Sequence, residues 1–137
     1  MNQYQYRSGF EHRIASDLEA RGIMFFYEDT AFEYRTTVRN GICTKCECKR
    51  VQQRRRYTPD FVVPRDRQTD LIIEAKGILD SATRSKMRDV RRENPTADIR
   101  FLFDGKATWK RSQKMAAWAE KYGFLYHFGH EVPEDWL

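Results

Sequence analysis

The chain of 137 residues has room for one compact domain and none for a second catalytic one. Hydrophobic residues make up 40% and aromatics 14%, enough apolar surface to build a core, which excludes a globally disordered protein. A run of ~18 apolar residues and an export signal behind Met1 are both missing, so the expectation is a soluble, cytoplasmic protein with no membrane partner.

Along the chain, Ser8-Gly9-Phe10-Glu11 has the form of a capping box and predicts a helix start. Phe10, Ile14 and Leu18 recur every four residues on one face, and Gly22 offers a left-handed stop. The aromatic and β-branched runs Ile23–Glu28 and Ala31–Val38 predict strands, and Asn40-Gly41 a hairpin turn. Strand character returns at Tyr57–Val63, and Leu71–Lys76 predicts a neighbouring strand ended by Gly77. Ser81 is expected to cap a basic helix running to Glu93, where Asn94-Pro95 stops it. Ile99–Phe103 reads as a buried strand, Gly105–Arg111 as loop, and Ser112–Tyr122 as a helix with Met115, Trp118, Ala119 and Tyr122 inward. Phe124–Phe128 reads as a last strand, and Trp109, Trp136, His127 and His130 as structural residues. This order predicts an α/β fold: a mixed β-sheet flanked by helices.

The net charge of +5 is unevenly spread. Between residues 35 and 56 stand Arg35, Arg39, Lys45, Lys49, Arg50, Arg54, Arg55 and Arg56 against one acid, Glu47, whereas the rest of the chain is net acidic. A local basic surplus fits an element that contacts a nucleic-acid backbone, and Arg84 and Lys86 on the later helix extend the track. Cys43, Cys46 and Cys48 share the same segment. Three thiols so close do not make a disulfide framework. They leave open a structural Zn²⁺ with a fourth ligand from elsewhere, free thiols on a basic hairpin, or a redox role.

The chemistry concentrates in Pro59-Asp60 and Glu74-Ala75-Lys76. Residues i and i+2 of a strand share a face, so Glu74 and Lys76 project together while Ala75 points away. With Asp60 on the neighbouring strand, two carboxylates and the Ala75 carbonyl form an oxygen-rich set suited to Mg²⁺ or Mn²⁺. Such a site with a lysine beside it suits phosphodiester hydrolysis.

Four blocks occur in order: Tyr6-Arg7-Ser8-Gly9-Phe10-Glu11, Tyr57-Thr58-Pro59-Asp60-Phe61, Ile73-Glu74-Ala75-Lys76-Gly77 and Pro133-Glu134-Asp135-Trp136. Together they resemble the bacteriophage endonuclease I family of Holliday junction resolvases, within the PD-(D/E)xK nuclease superfamily. The resemblance implies a restriction-endonuclease-like fold and a catalytic group of Glu11, Asp60, Glu74 and Lys76 with Mg²⁺ or Mn²⁺. It also implies a strand-exchanged homodimer in which Glu11 of one chain completes the site of its partner, so that two sites cut opposed strands of a four-way junction. The segment 39–56, with its cysteines and arginines, departs from the family as an insertion in the bridge between the dimer's halves.

The expectation is therefore one nuclease domain over residues 1–137, phage-encoded and acting in the host cytoplasm, that resolves branched DNA. Asp60 and Glu74 hold the metal, Glu11 adds a further acid, and Lys76 positions the nucleophile. The alternatives are a nicking or restriction-type nuclease of ordinary duplex and a non-catalytic DNA-binding module built on the basic hairpin.

Overall fold

The computed structural model describes residues 4–39 and 50–137. Helix α1 (Gly9–Ala20) opens where Ser8 Oγ accepts the Glu11 N–H at 3.2 Å. It closes through Gly22, whose φ of +68° lets the Ile23 N–H reach back to the Leu18 carbonyl at 2.9 Å. Strand β1 is only Phe26–Tyr27, shorter than the expected Ile23–Glu28. Ile23 and Phe25 pack against the α1 core, and Glu28, at φ +48°, turns the chain out of the strand.

Strands β2 (Phe32–Arg39) and β3 (Arg50–Tyr57) form a separate antiparallel ribbon in which Phe32 pairs with Tyr57 and Arg39 with Arg50. The expected strand Tyr57–Val63 is thus two elements: Tyr57 ends β3, and β4 is Phe61–Val63. Pro59 lies in the break, where its missing N–H interrupts no ladder. The arginine run 54–56 is accordingly part of a strand. The Asn40-Gly41 turn, Lys45, Lys49 and the three cysteines lie outside the described residues.

Strand β5 spans Leu71–Lys76 as expected. Helix α2 (Ser81–Glu93) is capped by Asp80, which accepts the Thr83 N–H at 2.7 Å, and not by Ser81; Asn94 ends it. Strand β6 is Asp98–Phe103. Helix α3 (Trp109–Lys121) starts three residues before the expected Ser112, because Thr108 Oγ1 accepts the Arg111 N–H at 3.3 Å. Strand β7 is Leu125–Phe128, and a 3₁₀ turn at Glu134–Trp136 follows. Among the described residues no helix is long and apolar enough to cross a membrane.

The main sheet has five strands in the order β1-β4-β5-β6-β7, antiparallel from β1 to β5 and parallel from β5 to β7. It separates two apolar layers. On one face, Phe10, Ile14 and Leu18 of α1 pack against Phe61, Leu71, Ile73 and Ala75. On the other, Met87 and Val90 of α2 and Met115 and Ala119 of α3 cover Val62, Ile72, Ile99, Phe101 and Phe103, with Tyr34 and Tyr57 of the ribbon joining this layer. The period-2 alternation of β5 assigns Ala75 to the α1 face and thereby Glu74 to the α2–α3 face.

Candidate active site

The β4–β5 register determines where the two carboxylates meet. Phe61 pairs with Ile73, Val62 with Ile72 and Val63 with Leu71. Extending that antiparallel register by one residue sets Asp60 opposite Glu74. Asp60 Oδ2 accepts the Ala75 N–H at 2.8 Å, which fixes one oxygen of the carboxylate against the end of β5. The Asp60 backbone is held from the other side, since its carbonyl accepts the Glu28 N–H at 3.1 Å. A residue bound on both flanks has little freedom to move away from its neighbour.

Asp60 and Glu74 are buried, with 7% and 4% of their surface exposed. Burial pushes the Glu74 carboxyl well above the ordinary glutamate range, the Asp60 charge adds to this, and Lys76 opposes it. Lys76 ends β5 half-exposed and makes no ion pair within 4 Å among the described residues. Its ammonium nevertheless acts on both Glu74 and Asp80.

Glu11 approaches from the opposite layer. Its Oε2 accepts the Tyr27 hydroxyl at 2.6 Å and the Arg7 N–H at 3.1 Å, so Glu11 completes its cap through Arg7 and not through Ser8. Burial raises its carboxyl and the Asp60 charge adds to this, while the Tyr27 and Arg7 bonds lower it. Glu11 and Asp60 thus feel each other within one chain. Glu28 stands nearby, paired with Arg7 at 3.0 Å.

Tyr57 and Tyr27 were not recognisable as site residues from sequence alone. Tyr27 holds Glu11, and burial together with its bond to Glu11 raises its phenol. Tyr57 is fully buried, and its hydroxyl has no hydrogen-bond partner. A buried hydroxyl left unmet costs about 1–3 kcal/mol. Burial lifts its phenol far above the usual range, with Glu74 and then Asp60 as its charged neighbours. A tyrosine preceding a Thr-Pro-Asp turn carries no pattern that announces this.

Whether these donors suit a divalent cation follows from their number and kind. Among the described residues no three His, Cys, Asp or Glu side chains converge on one point. What converges is the pair Asp60 and Glu74, buried and acidic, with the Ala75 amide bonded to Asp60. Two carboxylates with few other protein ligands fit a hard cation that keeps several of its waters, and not a cage of all-protein ligands. A buried carboxyl forced upward by its neighbour also gains by having such a charge between them.

The basic residues distribute unevenly. Arg54, Arg55 and Arg56 are exposed on β3. Arg35 is engaged instead: its guanidinium pairs with Glu93 at 2.5 Å, Thr36 donates to Asp89 at 2.8 Å, and Arg92 donates to the Arg35 carbonyl at 3.0 Å. These bonds seat the ribbon on α2. Lys86 is half-buried with its ammonium 5.3 Å from the centre of the Tyr57 ring, whereas Arg84 is exposed near the start of α2.

The family model described as Phage endonuclease I matches residues 1–137. Similar proteins include Endodeoxyribonuclease 1 of Enterobacteria phage T3, 32% identical over 124 residues that cover 88% of this chain and 70% of that protein. Endonuclease I of Escherichia phage T7 is 29% identical over 135 residues, covering 96% of this chain and 78% of that protein. With Asp60, Glu74 and Lys76 gathered at the ends of β4 and β5, and the family model matching from end to end, the chain belongs to the phage endonuclease I family.

Proposed function

We propose that this protein is a metal-dependent endodeoxyribonuclease that resolves four-way and other branched DNA junctions. The observation that carries the reading is the juxtaposition of Asp60 and Glu74 across the β4–β5 pair, with the Asp60 carboxylate tied to the Ala75 amide and Lys76 one step further along the same face as Glu74. Names of the T3 and T7 relatives support the nuclease and the DNA substrate.

Asp60, Glu74 and the Ala75 carbonyl would hold Mg²⁺ or Mn²⁺. The cation, when bound, supplies Lewis acidity at the scissile phosphodiester and eases deprotonation of the attacking water. Asp60 is held through one carboxylate oxygen by the Ala75 amide and through its carbonyl by the Glu28 amide, so it enters the reaction already oriented. Lys76 places a positive charge beside Glu74, where it orients the nucleophile or offsets charge that develops on the phosphate. Glu11, held by Tyr27 and Arg7, adds negative charge next to Asp60.

In the proposed homodimer, α1 of one chain docks on the sheet of its partner. Exchange of this kind keeps the packing of α1 on the sheet and relocates it between chains. Two sites on one rigid dimer then face two opposed strands of a junction. The basic strand β3 offers Arg54, Arg55 and Arg56 to the phosphate backbone.

The test is incubation with a four-way junction and with a linear duplex of the same sequence, each with Mg²⁺ and with EDTA. Paired cuts in the junction that need Mg²⁺ are expected. Equal cutting of the linear duplex would favour a nicking or restriction-type enzyme, and binding without cutting would favour a DNA-binding module.

A further inference from the structure

Among the described residues, the hydroxyls of Tyr57 and Tyr6 are the buried side-chain polar atoms that lack a hydrogen-bond partner. The Tyr57 ring is fully buried: Val62, Ile72 and Met87 share its layer, the Phe32 ring lies at 6.3 Å, and the Lys86 ammonium stands over it. Turning a phenol ring about its own axis leaves the oxygen where it is. The oxygen is therefore a fixed point, and its charged neighbours are Glu74 first and Asp60 second. Ionised carboxylates only accept hydrogen bonds, so a hydroxyl that faces them can serve only as a donor.

We propose that Tyr57 is a positioning residue, whose hydroxyl donates to the ionised Glu74 carboxylate and holds it in the orientation in which it and Asp60 share one divalent cation. This rests on the reading of Asp60 and Glu74 as cation-holding groups. Ligating carboxylates are themselves hydrogen-bonded from behind, and loss of such a partner lowers metal affinity or activity roughly 10–100-fold. A tyrosine that merely filled the core would do equally well as phenylalanine.

The experiment compares wild type, Tyr57→Phe and Glu74→Gln as full-length proteins. Thermal midpoints are recorded in EDTA and through a titration with MgCl₂, and junction cleavage is followed over the same Mg²⁺ range. The expected Tyr57→Phe protein melts at or above the wild-type temperature in EDTA, yet needs roughly tenfold more Mg²⁺ for half of its stabilisation and half of its cleavage rate. A Tyr57→Phe protein with wild-type Mg²⁺ dependence overturns the proposal, and so does one that melts well below wild type in EDTA, since the hydroxyl would then be bonded for structural reasons. Glu74→Gln separates this from the underlying reading. If it keeps wild-type cleavage and Mg²⁺ stabilisation, the cation site itself is misassigned and the Tyr57 proposal falls with it. If it loses both while Tyr57→Phe matches wild type, only the role of Tyr57 is overturned.

Discussion

Asp60 and Ala75 are joined by a hydrogen bond of 2.8 Å from the Ala75 amide to Asp60 Oδ2, so a side chain from the break before β4 caps the end of β5. The bond does two things at once. It satisfies a backbone donor at a strand end, and it turns an acid toward the strand that carries Glu74 and Lys76. Structure and chemistry share one atom pair, and substitutions here separate the two only if they keep the acceptor.

Asp60→Asn can keep an oxygen facing the Ala75 amide. Cleavage of a junction is expected to be abolished while binding to it persists, because the swap removes charge and preserves shape. Gel-shift and cleavage assays on the same preparation check this. Asp60→Ala is expected to lose activity and also about 1–3 kcal/mol of stability, the cost of an unmet buried amide.

Glu74→Gln should stabilise the metal-free protein near neutral pH while it abolishes cleavage. Folding lifts the Glu74 carboxyl above its ordinary 4.5, through burial first and Asp60 second. The folded state therefore holds a proton that the unfolded state releases. The associated stability is fully present below about pH 4.5 and is lost as pH rises toward the folded value. Glutamine removes that loss. Midpoints in EDTA as a function of pH are expected to show the variant above wild type at neutral pH and the gap narrowing as pH falls. A variant that melts below wild type at neutral pH would contradict the buried, repelled state of Glu74.

Much of this site was legible because its parts obey local rules. Ser8 and Glu11 mark a helix start through cap chemistry, and Glu74 with Lys76 share a face through strand periodicity, both within a few residues of chain. What was not legible depends on register between distant segments. Tyr57 meets Glu74 only because β3 ends at the point where β4 and β5 bring Asp60 and Glu74 opposite each other. Arg35 and Arg54 are neighbours in the same ribbon with the same chemistry, yet Arg35 is engaged with Glu93 while Arg54 is exposed, which follows from how the ribbon sits on α2. Short stretches of sequence carry propensity and periodicity but not the docking of one element on another.

The arginines of the ribbon should accordingly differ in effect. Arg54→Glu, Arg55→Glu and Arg56→Glu combined are expected to weaken junction binding and flatten its salt dependence by roughly 0.9 in the log–log slope for each phosphate no longer neutralised. Arg35→Ala is expected to change that slope less and to loosen the ribbon on α2, visible as faster amide exchange in β2. Equal slope changes from both would mean that the Arg35–Glu93 pair opens to bind DNA.

Arg65 tests the other end of the sheet. Its guanidinium is nearly buried and donates to the Thr69 and Trp136 carbonyls and to Asp98, at 2.7–2.9 Å. Arg65→Ala leaves those acceptors unmet, although Arg100 still pairs with Asp98 at 2.8 Å. A loss of about 2–4 kcal/mol is expected in denaturant unfolding, with the Mg²⁺ concentration for half-maximal cleavage unchanged. Asp98 is also a pH probe. Burial opposes its ionisation, but hydrogen bonds from Arg100 and Arg65 win and hold it below the usual aspartate value, so its contribution is present above about pH 3.8 and is lost on acidification.

Glu11 divides into two roles that single substitutions can separate. Its Oε2 receives the Tyr27 hydroxyl and the Arg7 amide, which is structural, while its charge acts on Asp60, which is the part that the proposed reaction would use. Glu11→Gln keeps an oxygen acceptor for both donors and removes the charge. It is expected to melt close to wild type, bind the junction and cut it poorly. Glu11→Ala removes the acceptor as well and strands a partly buried phenol and an amide, at a cost of about 1–3 kcal/mol. Tyr27→Phe does the converse: it leaves the charge and takes away one of the bonds that favour ionisation, so the Glu11 carboxyl rises further and the acid limb of the pH–rate profile moves to higher pH. The three variants measured together on one junction, with midpoints in EDTA and rates across pH, decide the matter. If Glu11→Gln cuts at the wild-type rate, Glu11 is only the cap of α1 and drops out of the reaction.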